Sequence, residues 1–239
     1  KVMINPILKY LLSFCFICIC GGETLASTFG PHESKIIFDE KDGRAIYSID
    51  NTDPNKAWLV QSWIEDANGN KTDDFVTLPE VIRVEPKSKP VVRIIKKANP
   101  QPDHESLYWI VSHSIPAGLG KRDTQTENEA RLTLAFRFKV PMFYRPETLP
   151  ANPEPEKLEW NVGSNGEIRV NNPTKYAVQL HHVNINGKKH QGDGVSYIIL
   201  PMTSTTLKVK AQGGDKIQYA IINDYGALKN YTSQIKKNK

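Results

Sequence analysis

Three basic side chains in strand-like surroundings are the groups in this sequence best placed to do chemistry. Lys35 immediately precedes the apolar Ile36-Ile37-Phe38, and Arg137 and Lys139 fill polar positions of an alternating run, Arg131 to Pro146. If the first and last strands of a domain lie side by side, the three form a positive patch. Ammonium and guanidinium groups offer a carboxylate charge-assisted hydrogen bonds, so such a patch suits an acidic terminus. The alternative is that all three simply face water. His181, His182 and His190 are a second set. Neighbouring strand residues point to opposite faces, so one strand cannot aim both of its histidines at a single ion, and exposed strand histidines are the plainer reading. Asp73-Asp74 sits beside a turn, where solvated carboxylates are expected. The sequence has no G-x-S-x-G elbow, no phosphate loop and no H-E-x-x-H. It therefore reads as a binding protein, not an enzyme, with no catalytic residue, cofactor, metal or small-molecule substrate.

The elements that must carry these groups are strands. In Arg131 to Pro146 the apolar Leu132, Leu134, Phe136, Phe138, Val140 and Met142 recur at every second position, the period of one strand. Strands usually run about 5–6 residues, so this alternation is long for a strand that only closes its own sheet. Part of its row is expected to serve another chain. Upstream, strands are predicted at Ser34–Phe38, Ala45–Asp50, Trp58–Glu65, Phe75–Thr77, Val81–Val84, Val91–Lys96 and Leu107–Ser114, with Asp42-Gly43, Asn68-Gly69-Asn70 and Glu85-Pro86-Lys87-Ser88 as turns. That count and spacing indicate an immunoglobulin-like sandwich. The glycine-rich and polar stretch from Pro116 to Glu129 buries little and is expected to be a mobile loop. Pro146, Pro150, Pro153 and Pro155 make a stiff linker. A second, smaller sandwich follows, with strands at Leu158–Val162, Ile168–Asn171, Ala177–Ile185, Tyr197–Leu200, Thr205–Lys210, Ile217–Asn223 and Tyr231–Ile235.

The first residues carry a different signal. Lys1 and Lys9 lead into an apolar run, Tyr10 to Ile19, too short for a spanning helix, followed by the small-residue pattern Thr24-Leu25-Ala26. This reads as a secretory signal cut after Ala26, with a membrane anchor as the alternative. Cys15, Cys18 and Cys20 all fall inside it, so the exported chain would hold no thiol and no disulfide. The expected organisation is signal 1–26, first domain 27–146, linker 147–155, second domain 156–235 and a solvated basic tail 236–239. The net charge of +5 among 239 residues is mild and scattered, which points away from nucleic acid.

Several motifs in succession resemble one family. Met142-Phe143-Tyr144-Arg145-Pro146, the run Pro102 to Trp109 leading to Ile115-Pro116, and Asn223-Asp224-Tyr225-Gly226 are similar to the PapD-like periplasmic chaperones of chaperone–usher pili. Leu59 to Ile64, Phe75 to Pro79 and Val84-Glu85-Pro86 add to the match, which spans nearly the whole chain after the signal. The resemblance implies an all-β protein of two immunoglobulin-like domains set at an angle around a cleft. It implies a periplasmic chaperone that completes pilus subunits with its own long strand and delivers them to an outer-membrane usher. By position, Leu132, Leu134 and Phe136 would be the lent side chains, with Phe138 as a fourth. The subunit's terminal carboxylate would be held by Lys35 and by a lysine at the position filled here by Pro141. Proline offers neither charge nor an amide hydrogen, and Lys139, one pleat period away with Arg137 behind it, is the nearest basic substitute. Glu105, Arg145 and Asp224 match an interdomain salt-bridge network of the family. Members with a long loop before the last strand carry a disulfide there, and a chain without cysteines at that place sits nearer the short-loop group. The rival reading is an immunoglobulin-like surface adhesin, whose strands would all be satisfied within its own domains.

Overall fold

The computed structural model describes residues 28–98, 103–118, 134–150 and 152–237. Two β-sandwiches follow one another along the chain. The first is built from β1 (Phe29–Pro31), β2 (Ile36–Asp39), β3 (Arg44–Asn51), β4 (Trp58–Glu65), β5 (Phe75–Leu78), β6 (Val81–Val84), β7 (Val91–Lys96), β8 (Ser106–Pro116) and β9 (Phe136–Arg145). Its sheets run β1-β3-β7-β5 and β2-β9-β8-β4-β6. The inward residues of the two sheets meet in one core around Phe38, Tyr47, Ile49, Ile64, Phe75 and Ile110, each at most 2% exposed. Tyr47 reaches across it to the hydroxyls of Ser62 and Ser112, satisfying its buried phenol.

β9 is the hub of the larger sheet. It pairs antiparallel with β8 from Ser114–Phe136 to Ser106–Tyr144, and parallel with β2 over Ile36–Met142 to Asp39–Arg145. The parallel ladder is short. Upstream of Met142, β9 has a hydrogen-bonded strand on one side only among the described residues. The alternation beginning at Arg131 predicts a longer strand than this. Positions 131–133 lie outside the described residues, as do those of the proposed signal and most of the predicted mobile loop. Leu134 and Ala135 carry no strand pairing. Continued past Ser114–Phe136, the register would set Ile115 opposite Ala135 and Pro116 opposite Leu134; Pro116 has no amide hydrogen to give, and Ala117-Gly118 turns away with Gly118 at φ +100°.

The second sandwich holds β10 (Glu159–Val162), β11 (Glu167–Asn172), β12 (Val178–Ile185), β13 (Lys188–Gln191), β14 (Ile198–Ile199), β15 (Thr203–Lys210), β16 (Lys216–Ile222), β17 (Leu228–Gln234) and β18 (Lys236–Lys237). Its sheets run β15-β11-β10-β18 and β13-β12-β16-β17, with β14 beside β12. Trp160, Ile168, Val183, Leu207 and Tyr219 fill its core. Three strands escape the sequence pattern: β1, β13 and β18. The last corrects the expectation of a free basic tail. Lys236 and Lys237 expose their side chains, yet their backbone pairs in parallel with Asn161 and Val162 of β10.

Candidate functional site

Arg145 closes β9 with its side chain 9% exposed and ties the two sandwiches together. Its Nε lies 2.7 Å from Glu105 Oε1, and its Nη1 lies 2.9 Å from Asp224 Oδ2 in the turn after β16. Glu105 is 2% exposed and also accepts the Ala177 amide at 2.8 Å, while its own amide donates to Lys175 O at 2.9 Å. Burial pushes the Glu105 carboxyl up, against the pull of Arg145 and the Ala177 amide. At Asp224 burial acts the same way, but Arg145 and Lys35 outweigh it and hold that carboxyl below its usual range.

Lys35 belongs to this network, which the sequence reading assigned to a separate group. Extending the parallel register by one residue sets it beside Pro141. Its Nζ is 3.4 Å from Asp224 Oδ1, donates to Ile222 O at 3.3 Å and lies 5.0 Å from the centre of the Phe143 ring. Burial draws this ammonium below the usual lysine range, opposed by Asp224 and Glu105. Two cations and two carboxylates thus alternate across the domain junction, and each charge has a counter-ion.

The three-cation patch is divided. Arg137 and Lys139 share a carboxylate not anticipated from the sequence: Glu65, at the end of β4 and 3% exposed. Arg137 Nη2 is 2.5 Å from its Oε1 and Lys139 Nζ 2.7 Å from its Oε2, while Trp63 Nε1 donates to Oε1 at 3.0 Å. Arg137 lies over the Trp63 ring and Lys139 over Trp109, at 5.3 and 5.4 Å. Burial pushes the Glu65 carboxyl up, but hydrogen bonds from Lys139 and Trp63 and the two positive charges leave it below its ordinary value. Nothing local in the sequence signals this pairing, since Glu65 and Arg137 are 72 residues apart. It becomes visible only once β4, β8 and β9 are set in register.

The apolar row of β9 is divided as well. Leu132 lies outside the described residues. Leu134 and Phe136 are 52% and 37% exposed. Phe138 is partly covered: its ring is 6.1 Å from that of Phe29, and a Cβ at Gly30 would come within 3.3 Å of its Cζ. From Val140 onward β9 is buried.

Lys139, Pro141, Trp109, Gln179, His181 and Tyr197 are among the residues lining the cleft between the domains. His181 and His182 do not obey the alternation expected of them. A bulge between Leu180 and His182 inserts His181 as an extra residue, so the two rings meet with Nδ1 atoms 2.9 Å apart. His190, facing Val183 across the β12–β13 ladder, makes no group with them, and no set of three or more metal-ligating side chains occurs among the described residues.

Comparison with known proteins agrees with this architecture. Residues 28–150 match the family described as pili and flagellar-assembly chaperone, PapD N-terminal domain, and residues 153–233 match the pili assembly chaperone PapD, C-terminal domain. The chaperone protein FocC of Escherichia coli is 32% identical over 234 residues, covering 95% of each chain. The chaperone protein LpfB of Salmonella typhimurium is 31% identical over 219 residues, covering 90% of this chain and 89% of the relative. A chain in the structure of the Salmonella enterica SafA pilin in complex with the SafB chaperone shares the fold, with a TM-score of 0.72 at 23% identity over 87% of this chain and 96% of that one. Two sandwiches joined through a buried ion network, one matching the N-terminal and the other the C-terminal family model, place the chain in the PapD-like family of pilus-assembly chaperones.

Proposed function

We propose that this protein captures a pilus subunit by lending the upstream part of β9 as an added strand, receives the subunit's terminal carboxylate at Lys35, and passes the subunit to an outer-membrane usher. The observation that carries the reading is the open edge of β9: among the described residues it has no hydrogen-bonded neighbour on the β2 side before Met142, while Leu134 and Phe136 stand exposed beside it. An unpaired edge with apolar side chains on alternate positions is a template for another strand, and chaperone–pilin donor-strand complementation is a known use of it. A surface adhesin with self-satisfied strands would have no need of such an edge. Leu134 and Phe136 are the donor side chains best supported, with Leu132 next in the row. Phe138, packed on β1, is better suited to closing the chaperone's own sandwich. Delivery to the usher rests on family membership, as does export behind a signal cut after Ala26.

The test is recovery of the neighbouring-gene pilin with the chaperone from periplasm. Leu134→Asp puts a charge where an apolar side chain would be buried, a burial worth about 1.5–3 kcal/mol. Pilin recovery is expected to vanish while the chaperone melts as wild type, since Leu134 makes no strand pairing. Normal pilin yield from this variant would refute the strand-lending reading.

A further inference from the structure

The side-chain alternation of a strand guards against one kind of misdocking and not another. A slip of one residue turns every apolar side chain to the wrong face, whereas a slip of two restores the faces and goes unnoticed by the pattern. On the cleft face of β9 this second slip has an obvious attractor. Lys139 stands two positions before Pro141, the residue beside Lys35, and two residues of strand span roughly 6.6 Å. The protein thus presents two cationic stations one pleat step apart. A carboxylate taken at the upper station would draw Phe138 toward the subunit, away from Phe29 and Gly30.

The two stations differ in how firmly their cations are already held, and the more exposed one is held harder: the Lys139 side chain is 38% exposed against 5% for Lys35. Lys139 is held at 2.7 Å by Glu65, whose other oxygen is taken by Arg137 and Trp63. The turn Asp66 to Asn70 folds over the pair, stapled by the Asp66 carboxylate to the amides of Asn68 and Asn70. A side chain grown at Gly69 would come within 3.9 Å of both Glu65 Oε2 and Lys139 Nζ. Lys35 has a looser counter-ion, Asp224 at 3.4 Å, which is already bound to Arg145 at 2.9 Å. An incoming carboxylate at Lys35 leaves Asp224 with a partner; one at Lys139 must compete with a buried carboxylate.

We propose that Glu65 sets the register of the captured subunit, acting as a built-in carboxylate that occupies Lys139 so that the subunit's terminus is received at Lys35 alone. This rests on the strand-lending reading above. Glu65 is then a specificity-determining residue that touches no subunit atom itself.

The experiment measures binding of the C-terminal strand of the neighbouring-gene pilin, as a synthetic peptide with a free carboxylate or a carboxamide, to the purified full chain. Lys35→Met keeps the aliphatic stem and is expected to weaken the free-acid peptide about tenfold, the loss of one charge-assisted contact. Adding Glu65→Gln, which keeps the shape and one acceptor oxygen for Arg137 and Trp63 but removes the charge and the acceptor that hold Lys139, is expected to restore much of that binding by freeing Lys139. The restoration should disappear on further adding Lys139→Ala, and should be absent for the carboxamide. If Glu65 merely braced the sheet, Glu65→Gln would weaken binding in both backgrounds. Lys139→Ala alone takes one cation from Glu65 but leaves it Arg137 and Trp63, and should bind as wild type. A double variant no tighter than Lys35→Met, or a weakened Lys139→Ala, overturns the proposal while leaving strand lending in place. A wild-type chain that ignores the peptide, or a Lys35→Met chain that binds it normally, overturns both.

Discussion

Arg145→Ala is the sharpest probe of the domain junction. The substitution strips the buried Glu105 of the cation at 2.7 Å while leaving it the Ala177 amide. Breaking a buried pair by removing one partner typically costs about 3–5 kcal/mol, because the other charge stays behind uncompensated. Asp224, 25% exposed and still 3.4 Å from Lys35, adds only about 0–1 kcal/mol. The loss expected is therefore about 3–6 kcal/mol, or roughly 6–24 °C in Tm for a chain of this size. Scanning calorimetry is the assay, and because the network spans both sandwiches, the variant should show its two domains melting apart. Arg145→Ala combined with Glu105→Gln removes both charges and should regain a good part of the loss, giving a coupling energy directly. A single variant within about 0.5 kcal/mol of wild type, or a double variant as unstable as the two single losses added, would refute this account of the junction.

Two further outcomes follow from the same geometry. Pro141→Lys places a second cation beside Lys35 in the cleft, and should lengthen the half-life of the pilin complex; an unchanged half-life in a pull-chase assay would count against Lys35 as the receiving station. Glu40 has its carboxyl drawn from 4.5 down to about 2 by hydrogen bonds from Lys96, Tyr144 and the Glu147 amide. A folded value below the unfolded one means stability that is present above about pH 4.5 and is lost as pH falls toward 2, so Glu40→Gln should flatten acid denaturation in that window. Identical acid curves for the two proteins would exclude it.

Much of the architecture was legible because it is written in apolar side chains. The alternation through Val140 and Met142 marks β9, and Trp58 to Glu65 is marked as β4 from end to end. What escaped has few such side chains to show. Lys188-Lys189-His190-Gln191 forms β13 at a sheet edge without an apolar residue, and β18 pairs through two lysine backbones. Phe29-Gly30-Pro31 is too short to display a period. The interdomain charges could be named from motif resemblance, but the Lys35–Asp224 contact and the claim of Glu65 on Lys139 depend on register and domain placement. The histidine pair failed for a local reason: one inserted residue in β12 cancels the alternation on which the reading relied.

β9 changes character along its length, exposed at Phe136 and buried from Val140 to an arginine fixed in the domain junction. It therefore behaves as a ruler clamped at one end. The clamp determines where every upstream residue falls, so the positions of Phe136 and Leu134 are counted from Arg145 and not from the residues before them. Lengthening or trimming the chain there leaves the scale untouched. Deleting one residue between Phe138 and Met142 would instead put Arg137 and Ala135 where Phe138 and Phe136 stood, so this strand can be redrawn only in steps of two.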